Sequence, residues 1–196
     1  MKAHEYLLTI LGDIKVFKWP FFLIYQPKGY QVIGKEVEDI LKFIKPGDIL
    51  LRGYNDYLDG KFIPGQFSHA ACYYGSNRVI HLMAEGVVND HLIDFCKCDR
   101  MVVLRIKNAS NEDIEKAKWA AWYFEFKQTK YDFDFDFSNN KLYCSEFVFR
   151  IWSHVLKIAP IEKRFMFFFK KEIILPDQFL NHPDIEIVYK TRKVNL

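Results

Sequence analysis

Apolar positions along the chain follow two periods, and the alternation between them lays out the elements. In GKEVEDILKFI, Gly34 to Ile44, residues Val37, Ile40, Leu41 and Ile44 recur three and four apart, which predicts a helix that KPG at Lys45 to Gly47 stops. DILLRG, from Asp48, then reads as a strand. FSHAACYYG, Phe67 to Gly75, is an apolar and aromatic run closed by glycine, and RVIHLMAEGVV, Arg78 to Val88, follows after the short polar turn SN. That pattern predicts a hairpin. MVVLRI, Met101 to Ile106, is another β-branched run, so three or more strands lie between Asp48 and Ile106 and predict an antiparallel sheet.

The period then changes. NASNEDIEKAKWAAWYFEF opens with Ser110 as a helix N-cap and Asp113 three residues on, and sets Ile114, Ala117, Ala121 and Phe124 along one side. Tyr131 to Phe137 alternates aromatic residues with aspartate, which predicts an extended segment with one buried face and with Asp132, Asp134 and Asp136 on the wet one. KLYCSEFVFRIW then starts a second helix, whose apolar side carries Phe147, Val148, Ile151, Trp152, Val155 and Leu156. Cys144 lies four residues before Val148, on that same side, so its thiol points at the protein body.

Composition sharpens this picture. With 196 residues, 50% hydrophobic and 17% aromatic, the chain buries a substantial core without disulfides or metals. No repeat or linker divides it, which predicts one domain over residues 1–196, with 1–44 as an N-terminal extension packed on it. Lys and Arg total 28 against 25 Asp and Glu, and a net charge of +3 argues against nucleic acid or another polyanion as partner. Asp13, Lys15 and Lys18 interrupt the apolar N-terminal stretches, so neither a signal core nor a membrane span is expected. The cysteines, Cys72, Cys96, Cys98 and Cys144, are read as free thiols of a reducing cytoplasm.

Two residues carry candidate chemistry. A thiol attacks only as thiolate, and the first turn of a helix supplies unpaired N–H groups while an imidazole supplies a base or a positive charge. Cys144 has the first, and His69 supplies the second if the late helix packs on the sheet. Residue type alone leaves a plainer account open, in which Cys144 is a small hydrophobe and His69 a satisfied core residue. Cys96 and Cys98 with His91 fall short of a zinc pattern, and a solvent-facing or partly buried loop is expected there. Asp132, Asp134 and Asp136 lack the glycine turn and distal glutamate of a calcium loop. RFMFFFKKEIILP, Arg164 to Pro176, reads as core packing with a charged edge or as an apolar substrate wall.

The blocks PGDILLRG, FSHAACYYG, VIHLMAEGV, YDFDFDFSNNKLYCSEFV and ILPDQFLNHPDIEIV, in this order from about Lys45 to Val188, resemble the permuted papain-like amidases, the YiiX/YaeF-type branch of the NlpC superfamily. The resemblance implies an α+β, circularly permuted papain-like fold. In it an antiparallel sheet or partial barrel packs against helices, and the nucleophile helix follows the histidine strands. It implies Cys144 as nucleophile, His69 as base, and a third polar residue that orients the imidazole: His81, with Glu85 as the alternative. By strand alternation both sit on one face. The Cys144 N–H is the expected oxyanion donor, with Tyr143 and Tyr131 lining the site, and Ser145 and Glu146 capping the helix and complementing its dipole.

On that likeness the chain is a cysteine hydrolase that cleaves a peptide-type amide, including amides of cell-wall peptides, through a thioester without metal or cofactor. A second reading is a lipid acyltransferase or thioesterase using the same triad, with Phe165, Phe167, Phe168 and Phe169 lining an acyl pocket. A third is a binding scaffold whose triad is idle.

Overall fold

The computed structural model describes residues 14–16, 23–25, 30–54, 63, 65–165 and 169–194. Ten strands and five helices occupy them, in the order β1 (Ile14–Val16), β2 (Leu23–Tyr25), α1 (Lys35–Phe43), β3 (Ile49–Gly53), β4 (His69–Gly75), β5 (Arg78–Met83), β6 (Gly86–His91), α2 (Leu92–Phe95), β7 (Arg100–Ile106), α3 (Asn111–Phe126), α4 (Cys144–Trp152), β8 (Ile161–Phe165), β9 (Phe169–Ile173), α5 (Pro176–Leu180) and β10 (Ile185–Lys190). Six strands form one sheet, β10-β7-β3-β4-β5-β6, with every neighbouring pair antiparallel. The mixed α+β architecture and its antiparallel sheet are those expected. Most of the N-terminal extension lies outside the described residues. Among those residues no helix is long and apolar enough to cross a membrane.

Alternation along the strands builds two cores. Ile49, Leu51, Ala70, Cys72, Ile80, Leu82, Val102 and Leu104 meet Ala117 and Ala121 of α3 and Phe147, Val148, Ile151 and Trp152 of α4. The intervening residues Leu50, Ala71, Tyr73, Val79, Met101 and Val103 face Ile40 of α1 and Leu92, Phe95, Cys96 and Cys98. A side chain of leucine or phenylalanine size contributes about 1.5–3 kcal/mol when buried in this way. Cys96 and Cys98 therefore do not sit in a solvent-facing loop: both belong to a dry core.

The hairpin turn falls at Ser76–Asn77, where both residues adopt positive φ (51° and 58°), a geometry that suits the right-handed twist of the flanking strands. The run Arg78 to Val88 is two strands rather than one, because Ala84 and Glu85 turn the chain and Gly86 starts β6. On α3 the expected cap is present, with Ser110 and Asp113 bonded reciprocally. The late helix stops at Trp152, and Val155 and Leu156 continue its apolar side in a turn.

Residues 131–142 depart most from expectation. Instead of an extended segment they form a series of turns, closed at the base by a parallel bridge between Tyr131 and Leu142. Asp132 is fully buried, and its carboxylate accepts from the Asp134 N–H (2.9 Å), the Asp136 N–H (2.6 Å) and Asn139 Nδ2 (3.1 Å). An aspartate that bonds its own downstream backbone stabilises turns over strand. Asp134 and Asp136 are on the wet side, as expected.

Candidate active site

The β4–β5 ladder runs from Gly75↔Arg78 through Tyr73↔Val79 to Cys72↔Ile80 and ends there. Below that point the start of β4 turns its peptide groups toward α4. The Cys144 thiol donates to Ser68 O at 3.9 Å, and the Ala70 N–H reaches the same sulfur. Those two peptide positions bracket His69, so the Cys144 sulfur lies against the backbone on either side of the predicted histidine.

The start of β4 is itself anchored. Asp177, in the first turn of α5, accepts the N–H groups of Gln66 (2.8 Å) and Phe67 (3.0 Å). Gly65 allows this approach: its φ is +133°, and a Cβ there would lie 2.6 Å from Asp177 Oδ2. The start of α4 is clamped as well. Tyr143 Oη accepts the Ile174 N–H (2.8 Å), and the Ser145 hydroxyl donates to Ile174 O (2.6 Å), so the residues on either side of Cys144 hold both backbone groups of Ile174, between β9 and α5.

His69 Nε2 lies 2.9 Å from His81 Nδ1, with the rings edge to face, and His81 Nε2 lies 3.0 Å from Asp90 Oδ2. Phe95 packs against both imidazoles, at centroid distances of 5.9 and 5.3 Å, and the Arg52 guanidinium stacks on its ring. Arg52 is the cross-strand neighbour of His69. His81 has no exposed surface. Burial first, and Arg52 second, lower its pKa to about 4 against the pull of Asp90, so it is neutral at pH 7.

Burial also raises the Cys144 thiol above its ordinary value, while the Ala70 N–H, the Ser145 N–H, the Ser145 hydroxyl and the Arg52 cation oppose it. The Tyr131 hydroxyl reaches the sulfur, and burial together with that neighbour holds it well above the usual tyrosine range. It is therefore a protonated donor. Tyr143, expected beside it, engages Ile174 and packs with Ile173, Leu175 and Phe135. Glu85 lies in the turn after β5 and is exposed, because the strand that was to align it with His81 ends at Met83. The Ser145 hydroxyl donates to Ile174 O rather than capping α4, and Glu146, in the first turn of α4, accepts from Arg150.

Asp90 and Arg52 were not singled out from the sequence. Asp90 had a signal: reading AEG as a turn folds β6 back on β5 and sets Asp90 diagonally across from His81. Among the described residues no group of three or more His, Cys, Asp and Glu side chains is placed to hold a metal. Residues 165–169, offered as an acyl wall, lie largely outside the described residues.

Compared with known proteins, the chain matches the family described as permuted papain-like amidase enzyme, YaeF/YiiX, C92 family, over residues 43–189. No curated protein and no solved structure matches it.

Proposed function

Because the chain belongs to the permuted papain-like amidases of the YaeF/YiiX type, C92 family, and so is a cysteine peptidase or amidase, we propose that Cys144 is its nucleophile, His69 its base and His81 the residue that orients the base. The substrate is an amide of peptide type. The observation that carries this reading is the Cys144 sulfur lying against the peptide groups that bracket His69, whose Nε2 is already committed to His81. The imidazole nitrogen that exchanges a proton with the thiol is then Nδ1. The permutation follows from chain order, with the histidine strands before the nucleophile helix.

Burial keeps the resting thiol protonated, so deprotonation accompanies attack. The S–H proton moves to His69 Nδ1 as sulfur bonds to the amide carbon. The carbonyl oxygen gathers negative charge, which the Cys144 N–H, at the positive end of α4, and the Tyr131 O–H stabilise. His69 then protonates the departing amine and leaves a thioester. Water, deprotonated by His69, releases the acid and restores the thiol. Ser68 Oγ and Arg52 Nε, buried without a hydrogen-bond partner beside this chemistry, are polar atoms that an entering amide would satisfy.

Alkylation tests the nucleophile. With iodoacetamide and mass-spectrometric readout, Cys144 of the native protein is expected to reach its maximal rate near the ordinary imidazole range, about pH 6.5. In His69→Ala the rise moves to higher pH, beyond that of an ordinary thiol at about 8.5, because burial holds the thiol up. Turnover of a dipeptide-amide panel is abolished in Cys144→Ala. Labelling of Cys144 at pH 7 no faster than that of Cys72, Cys96 and Cys98 would leave an idle scaffold and overturn the reading.

A further inference from the structure

We propose that Asp90 is a positioning residue which fixes the direction of the hydrogen bonds running from β6 to the sulfur, and with it the tautomer of both histidines. The inference rests on the nucleophile and base assigned above and adds the group that orders them.

A carboxylate has no proton to give and only accepts, so the nitrogen 3.0 Å from Asp90 Oδ2, His81 Nε2, carries the hydrogen. A neutral imidazole holds one N–H. His81 Nδ1 is therefore a lone pair, and the group facing it at 2.9 Å, His69 Nε2, must donate. The same rule applied once more leaves His69 Nδ1 as a lone pair, and this is the atom that must accept the thiol proton. Each step is forced by the one before, and the first is set by Asp90. Reversing the chain puts a hydrogen on His69 Nδ1, where it blocks the base.

The surroundings of His81 leave this task to Asp90. From β4 it faces His69, from β3 the Arg52 cation, and from α2 the apolar ring of Phe95. Of the groups that act on it, Asp90 alone is an anion. A purely structural role is poorly served here, because β5 and β6 are already joined along their length from Arg78↔His91 to Met83↔Gly86. The Asp90 side chain is 40% exposed, so water reaches its carboxylate while its partner is dry.

The substitution Asp90→Asn replaces an obligate acceptor by a group that also donates. Nitrogen-15 spectra of the ring nitrogens in labelled protein are expected to show hydrogen on Nε2 of both His69 and His81 in the native chain. In Asp90→Asn the tautomers mix or reverse, and alkylation of Cys144 at pH 7 slows about tenfold to a hundredfold, part of what a positioned base contributes. Asp90→Glu restores both readouts, and thermal denaturation confirms that each variant is folded. Native ring tautomers together with native Cys144 reactivity in Asp90→Asn overturn the proposal. The nucleophile reading fails separately, by a Cys144 that is insensitive to His69→Ala, and the nitrogen-15 spectra still decide the role of Asp90 in that case.

Discussion

Toward α3 and α4, strands β3, β4 and β5 contribute Ile49, Leu51, Ala70, Cys72, Ile80 and Leu82; toward α2 the same strands contribute Arg52, His69 and His81 among Leu50, Ala71 and Val79. Both sides are dry, yet one is hydrocarbon and the other holds a cation and two imidazoles. Burying apolar surface needs no partner, whereas a buried polar group is stable only when hydrogen-bonded or paired. The polar side accordingly runs as a chain of contacts, from His69 through His81 to Asp90, and the helix that brings the sulfur packs from the apolar side. Two thiols express the contrast. Cys72, inside the apolar layer, is pushed up by burial to about 12, while Cys144, where the β4–β5 ladder ends, is reached by two N–H groups and a hydroxyl that oppose burial.

The comparison is tested most severely on the apolar side. Trp152 is buried against Ile114 and the sheet, so Trp152→Ala should lower stability by about 3–5 kcal/mol in urea titrations. If the two sides differ as argued, His69→Ala leaves most of the stability intact and removes activity instead. A larger stability loss from His69→Ala than from Trp152→Ala would erase the distinction.

The loop that carries Tyr131 to the edge between the two sides gives the next effect. Asp132→Ala removes the acceptor of three bonds within it and leaves two backbone N–H groups without their partner. A loss of about 1–3 kcal/mol is expected. Amide exchange at Asp134 and Asp136 should accelerate, and turnover should fall as Tyr131 loses its place. Unchanged exchange at both amides would show that the aspartate is not the organiser of the loop.

The sheet, the hairpin and the two long helices were legible because their signals are local: alternation, a polar turn, a capping pair. The order of His69 and Cys144 was equally plain, and His81, favoured over Glu85 as the third residue, lies 2.9 Å from His69. What stayed hidden depends on pairings that periodicity does not carry. The stretch YDFDFDF alternates like a strand, but the first aspartate folds back on its own backbone, a choice made by hydrogen bonds rather than by hydrophobicity. On α3, Ala117 and Ala121 face the sheet while Trp119, Trp122, Tyr123 and Phe126 stay exposed, because close packing against α4 selects small side chains over apolar ones. Asp177 acts across more than a hundred residues of chain and has no local signature, and Asp90 is found only by folding β6 back on β5 at AEG.

The smallest effect concerns the carboxylate beneath Cys144. Glu146 sits in the first turn of α4, where the Arg150 guanidinium (2.9 Å) and the Tyr143 N–H favour its anion, yet it is fully buried and one of its oxygens has no hydrogen-bond partner. Burial prevails and lifts its pKa from 4.5 to about 7. Between those two values the folded chain holds a proton that the unfolded chain has released, so this group's contribution to stability is present in full at low pH and declines as pH rises toward 7. Glu146→Gln imitates the protonated form at every pH. The difference in stability between the variant and the native protein, followed by urea denaturation from pH 4.5 to 7.5, should therefore widen in favour of the variant as pH rises. A difference that stays constant over that range would mean that Arg150 and the helix N-terminus hold the native side chain ionised throughout, and that burial beneath Cys144 is less complete than on the apolar side of the sheet.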